Sequence, residues 1–138
     1  MLPFRVSLRP GESPYRQVVF AATRAVVSGE LPVGSGFPSV RELSQALKIN
    51  PNTAHKVVAE LVRLGVLEVL PGVGTVVTMP RYATEAERRR LLSREVEALV
   101  VEAKRLRLSE HAVVEAVAAR WAELSPEVEL RPDEARRD

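Results

Sequence analysis

Asn52, Thr53, His55 and Lys56 follow one another just after Asn50-Pro51, and Arg41 precedes them by a short stretch. No nucleophile, base and orienting group can be assembled from the motifs present. An amide, a hydroxyl, an imidazole and two cations are the groups that hydrogen-bond base edges and neutralise phosphates: Arg and Lys pair with phosphate or with guanine O6 and N7, and Asn and Thr donate to backbone or base edges. The chemistry implied is binding, and no enzymatic activity is expected.

The elements that carry these residues have clear starts. Ser39 followed by Glu42 is a capping box, so a helix opens at Ser39 and runs to about Leu47 on the spacing of Val40, Leu43 and Leu47, with Ile49 closing the apolar patch. Asn50 caps the next helix and Pro51 takes its first position, where the missing N–H costs nothing. Its inner face is Ala54, Val57, Val58 and Leu61, which leaves Asn52, Thr53, His55, Lys56 and Glu60 on or near the exposed side. Two helices a short turn apart, the second carrying groove-reading side chains, spell a helix-turn-helix. Thr53 can equally reinforce the helix start; for Arg41 a surface charge beside Glu42 is the lesser alternative to a DNA contact.

Ahead of this pair, Tyr15, Val18, Val19, Ala22 and Val26 mark an amphipathic helix from Pro14 to Ser28, with Ser13 as its cap and Gly29 ending it. Phe4, Val6 and Leu8 alternate with polar residues, which predicts a short strand over 4–8, and Leu31 to Gly36 reads as a turn-rich connector. Downstream, Gly65 stops the third helix. Val66 to Leu70 and Thr75 to Thr78 form a hairpin around Pro71-Gly72-Val73-Gly74. Pro80 interrupts the pattern. Thr84 with Glu87 opens a long helix carrying Leu92, Val96, Leu99, Val100, Ala103 and Leu106, and Ser109 caps a last one carrying Val113, Val114, Val117, Trp121 and Leu124. The expected fold is mainly α with a small β-hairpin: a winged helix-turn-helix followed by a C-terminal helical hairpin. The expected division is residues 1–80, a two-helix dimerisation region 81–124 and a polar tail 125–138.

Composition is compatible with that plan. The 138 residues are 46% hydrophobic, enough for a globular core, and carry a net charge of +2. The charge is uneven: residues 1–80 hold eight basic side chains against five acidic ones, whereas the remainder is slightly acidic. The surplus sits with the helix-turn-helix, as phosphate binding requires. The absence of cysteine removes disulfides and thiolate sites, and no segment reads as a signal peptide or a bilayer span, so a cytoplasmic protein without membrane partners is expected. His55 and His111 are read as lacking a second ligand at metal spacing. Gly72 and Gly74 lack the strand-loop-helix setting of a phosphate loop, so no metal or cofactor is expected. The charges of Glu85 to Arg90 read as a solvated helix start.

Pro14-Tyr15-Arg16-Gln17, Ser28 to Gly34, Pro38 to Leu43, Asn50 to Thr53 and Gly72 to Thr75 together resemble, in order and spacing, the DNA-binding domain of GntR-family transcription regulators, over roughly residues 14–78. The wording around Ile49 to Thr53 and the short C-terminus resemble the YtrA-type branch of small dimeric regulators. The resemblance implies DNA contacts from Arg41, Asn52, Thr53, His55 and Lys56, with Gly72, Gly74 and Thr75 on the wing. The wing departs from the family pattern by lacking a basic side chain, and His55 stands where an arginine is common. The implied function is sequence-specific DNA binding by a homodimer on an inverted repeat, repression being favoured over activation. Val96, Leu99, Val100, Val117 and Trp121 are then dimer-interface candidates. The operator is unspecified, and so is any effector: two helices are too few to enclose a pocket of roughly 300 Å³ or more. The alternative is a winged-helix module that binds another protein; the basic surplus around Arg41, Lys48 and Lys56 speaks against it.

Overall fold

A computed structural model describes residues 2–79 and 83–125. They divide into two compact units, one built around residues 2–79 and the other around residues 83–123. Pro80, and the polar tail beyond Ser125, lie outside the described residues.

In the first unit α1 spans Pro14–Val27, α2 Val40–Leu47 and α3 Pro51–Arg63. Each starts where its cap places it. The Ser13 hydroxyl accepts from the Arg16 N–H, the Ser39 hydroxyl accepts from the Glu42 N–H at 3.1 Å, and Asn50 Oδ1 accepts from the Asn52 N–H at 2.8 Å. The capping box is complete, because Glu42 Oε1 accepts in turn from the Ser39 N–H. The apolar stripes then meet: Val18, Ala22, Ala25 and Val26 of α1, Leu43 of α2, and Ala54, Val57 and Leu61 of α3 are all buried in one core. Fully burying a leucine such as Leu43 or Leu61 contributes about 1.5–3 kcal/mol.

β1, Leu67–Leu70, pairs antiparallel with β2, Gly74–Val77, in a register that sets Leu67 opposite Val77 and Val69 opposite Thr75. Leu67 and Val77 close the core from the side. This hairpin has a neighbour that its own pattern does not announce. Gly36 bridges Val76, the Val77 N–H donates to the Ser35 carbonyl at 2.8 Å, and the Phe37 N–H donates to the Thr75 carbonyl at 2.9 Å. The connector before α2 thus covers the outer edge of β2, satisfying backbone groups that a two-stranded ribbon would leave open.

No strand forms over 4–8. Phe4 is buried against Phe37, and the chain then passes in irregular conformation to Arg9, whose N–H donates to Gln17 Oε1 at 2.7 Å. Alternation alone is not enough where no free strand edge lies alongside.

In the second unit α4, Glu85–Arg90, continues through a π turn, Leu91–Glu95, into α5, Val96–Arg105; α6 spans Glu110–Leu124. Thr84 caps the rod by accepting from the Glu87 N–H, but its own hydroxyl, and not its N–H, donates to the Glu87 carboxylate, so the expected reciprocal box is half formed. At the π turn the Val96 N–H reaches the Leu91 carbonyl, five residues back, and the Ser93 hydroxyl donates to the Arg89 carbonyl. The long rod is therefore not the uniform α-helix that its stripe predicts; one extra residue shifts the phase between Leu92 and Val96. The Ser109 hydroxyl accepts from the Ala112 N–H at the start of α6, as expected. The helical hairpin is open. Among its described residues only Ala103 is buried, and α5 and α6 face each other across an apolar groove of about 710 Å³.

Candidate nucleic-acid interface

The helix-turn-helix is fastened at its turn. Ser44 and Ile49 bond twice, the Ile49 N–H donating to the Ser44 carbonyl at 3.1 Å and the Ser44 hydroxyl donating to the Ile49 carbonyl at 2.8 Å. Between them Lys48 adopts the left-handed conformation, φ 54° and ψ 45°, which lets the chain reverse into Asn50. That conformation disfavours a residue with a Cβ by roughly 1–2 kcal/mol. Sequence pattern did not single out Lys48 for this role, because a glycine is the usual signal.

On this frame Arg41 is exposed in the first turn of α2, and Asn52, His55 and Lys56 are exposed along α3, with Thr53 half-buried beside Ala54. Thr53 makes no side-chain hydrogen bond to the helix start among the described residues; Asn50 holds the cap. The nearby acids are turned elsewhere. Glu42 is tied to its own cap, and Glu60 accepts from Arg63 Nε at 2.8 Å. The guanidinium of Arg63, by hydrogen bond and then by charge, holds the Glu60 carboxyl below the usual carboxylate range against an opposing effect of burial; the Tyr15 hydroxyl adds a further hydrogen bond. Among the described residues no carboxylate lies within ion-pair distance of Arg41, Lys48 or Lys56. The α2–α3 surface thus presents three uncompensated cations, an arrangement suited to a polyanion.

The wing is joined to this surface through the backbone. Thr75, half-buried in β2, accepts from Phe37, two residues ahead of the Ser39 cap and four ahead of Arg41. At the tip the Val73 N–H donates to the Leu70 carbonyl across Pro71-Gly72. Gly72 has φ 75° and Gly74 φ 115°, values that favour residues without a Cβ. The wing's one charged side chain is Glu68.

Residues 14–77 match the sequence profile of the bacterial regulatory proteins of the gntR family. A relative described as an uncharacterized HTH-type transcriptional regulator, YhcF of Bacillus subtilis (strain 168), is 30% identical over 103 residues, which cover 75% of this chain and 85% of YhcF. The chain belongs to the GntR family. It is a DNA-binding transcription regulator with a winged helix-turn-helix. The HTH-type transcriptional repressor YtrA of the same organism is 31% identical over 90 residues, 64% of this chain and 69% of YtrA. Among solved structures, a transcriptional antiterminator from Listeria monocytogenes EGD-e superposes with a TM-score of 0.75 over 92% of this chain and 97% of its own, at 21% identity; that likeness is one of fold.

In the second unit of this GntR-family chain the five interface candidates line the open groove. Val96, Leu99, Val100 and Val117 are between 41 and 48% exposed, and Trp121 is 76% exposed. The space between the two helices is an open trough and not an enclosed pocket. His111 has a carboxylate neighbour that the sequence reading passed over, Glu115 at 3.6 Å one turn on. Among the described residues no group of three or more side chains is placed to hold a metal ion, and no helix is long and apolar enough to cross a membrane.

Proposed function

We propose that this protein is a sequence-specific transcriptional repressor of the YtrA type that binds an inverted-repeat operator as a homodimer. The observation that carries this reading is the α2–α3 surface, where Arg41, Lys48 and Lys56 stand without acidic partners among the described residues, Glu42 and Glu60 being engaged by Ser39 and Arg63. Arg41, Asn52, His55 and Lys56, with Thr53 at the edge, contact a major groove, and Gly72, Gly74 and Thr75 bring the wing to the adjoining backbone. Dimerisation supplies the second half-site: Val96, Leu99, Val100, Val117 and Trp121 pack against the same residues of a second chain, which removes their apolar surface from water. Recognition helices about 34–36 Å apart then fit successive major grooves. Occupying an operator beside a promoter excludes polymerase physically, and similarity to a protein named as a repressor supports that mode.

The test is selection of duplexes from a random-sequence pool by the full chain, followed by affinity measurements across salt concentration. An inverted repeat should emerge, and log affinity should fall steeply with log salt as both half-sites release counterions. No enriched sequence, together with a flat salt response, would point instead to a protein-binding winged helix.

A further inference from the structure

The wing lacks what a phosphate-gripping hairpin needs. Its one charged side chain is acidic, and its outermost side chain is Val73, 72% exposed; Val69 behind it is 60% exposed. Side chains alternate across a ribbon, so Val69 and Thr75, a cross-strand pair, continue outward the face that Leu67 and Val77 bury in the core, while Glu68 points to the other face. A Cβ built on Gly72 or Gly74 would meet nothing within 4 Å, so these glycines serve the positive-φ turn and leave the tip narrow, with one isopropyl group projecting from it. The hydrogen bond from Phe37 to Thr75 fixes this tip beside the start of α2.

We propose that Val73 is a specificity-determining residue that enters the minor groove and selects A·T pairs there; this rests on the DNA-binding reading above. With α3 in the major groove, the slim Gly-Val-Gly tip matches the other groove, which is only about 6 Å wide. A·T pairs show acceptors alone in that groove, whereas guanine adds its 2-amino donor. A valine pressed over that amino group strips its water and returns no acceptor, so a G·C pair is penalised. Over A·T the isopropyl group meets a narrower, flatter floor. The contact needs no ion release, so it adds selectivity without adding to the salt response.

The experiment uses the full chain and a duplex it has selected from a random pool. Each base pair in turn is replaced by G·C and by inosine–cytosine, which lacks the 2-amino group. Wild type should lose about tenfold in affinity on G·C, but not on inosine–cytosine, at one or two positions per half-site. Val73→Ser, whose hydroxyl can accept from the amino group, should bind both replacements alike there. Val73→Lys should steepen the slope of log affinity against log salt by about one for each half-site. An unchanged thermal unfolding midpoint in both variants checks that the exposed tip has not altered the fold. Absence of any such position in wild type, or its persistence in Val73→Ser, overturns the assignment while leaving DNA binding intact. A pool from which no sequence emerges overturns the DNA-binding reading itself, and this inference with it.

Discussion

The rings of Phe4 and Phe37 are stacked, their centroids 5.6 Å apart and their planes inclined by 16°. Both are buried, Phe4 ahead of the first helix and Phe37 immediately before the Pro38-Ser39 start of α2. The N-terminal segment therefore closes the core on the side from which α2 departs. Removing one ring exposes the other and opens a cavity. Phe4→Ala should lower stability by about 3 kcal/mol in urea denaturation, whereas Phe4→Leu should retain most of it. A loss below about 0.5 kcal/mol, within the range of ordinary surface substitutions, would show that the segment does not dock in solution.

Lys48 supplies a second stability test. Its left-handed backbone is the kind of position that glycine occupies without a steric penalty, so Lys48→Gly should stabilise the domain by about 1 kcal/mol. Lys48→Ala should not, because alanine keeps the Cβ. Thermal and chemical denaturation of the two variants decide this, and equal behaviour of Gly and Ala would contradict the observed conformation. Binding should move the other way, since both variants delete a cation from the α2–α3 turn.

Arg41 and Lys56 should separate into two kinds of contact. If Arg41 reads a base bidentately, Arg41→Ala costs about 1–3 kcal/mol of binding and relaxes preference at one base pair. Lys56→Ala, where the side chain meets phosphate alone, should weaken all sequences alike and make the salt slope shallower by about one per half-site. Affinities on the selected duplex and its single-pair variants, at several salt concentrations, distinguish the two. Unchanged binding by folded Arg41→Ala would remove that residue from the interface.

The groove between α5 and α6 should vanish from solvent when two chains pair. Val100→Glu introduces a charge into a face that dimerisation must desolvate, so the variant should sediment as a monomer where wild type sediments as a dimer. Truncation after Met79 should also give a folded monomer, because the core of residues 2–79 is drawn from that unit. Both should bind the operator far more weakly, having lost the effective concentration that links two half-sites. A truncated chain that still dimerises would place the interface in the winged unit.

Much of this fold was legible because its signals are local. Ser13, Ser39, Asn50 and Ser109 each cap the helix that follows because a side-chain oxygen needs only to reach an N–H two or three residues on. The periodicity of Val18, Ala22, Leu43, Ala54, Val57 and Leu61 already encodes which faces turn inward, and each of these residues is buried. The positions of Arg41, Asn52, His55 and Lys56 on exposed faces follow from the same arithmetic. What only the tertiary structure decided are relationships between residues far apart, or choices that no single residue type forces. Phe4 stacks on Phe37 instead of starting a strand, residues 34–37 join the hairpin as a third edge, and Glu60 turns to Arg63 and Tyr15 and so leaves the recognition face positive. Lys48 takes a glycine's conformation because the turn between two packed helices leaves it no other, and the rod at Leu91–Glu95 accommodates one residue more than an α-helix would. In each case the deciding free energy comes from packing and from backbone partners supplied elsewhere in the chain, quantities that spacing along a sequence does not contain.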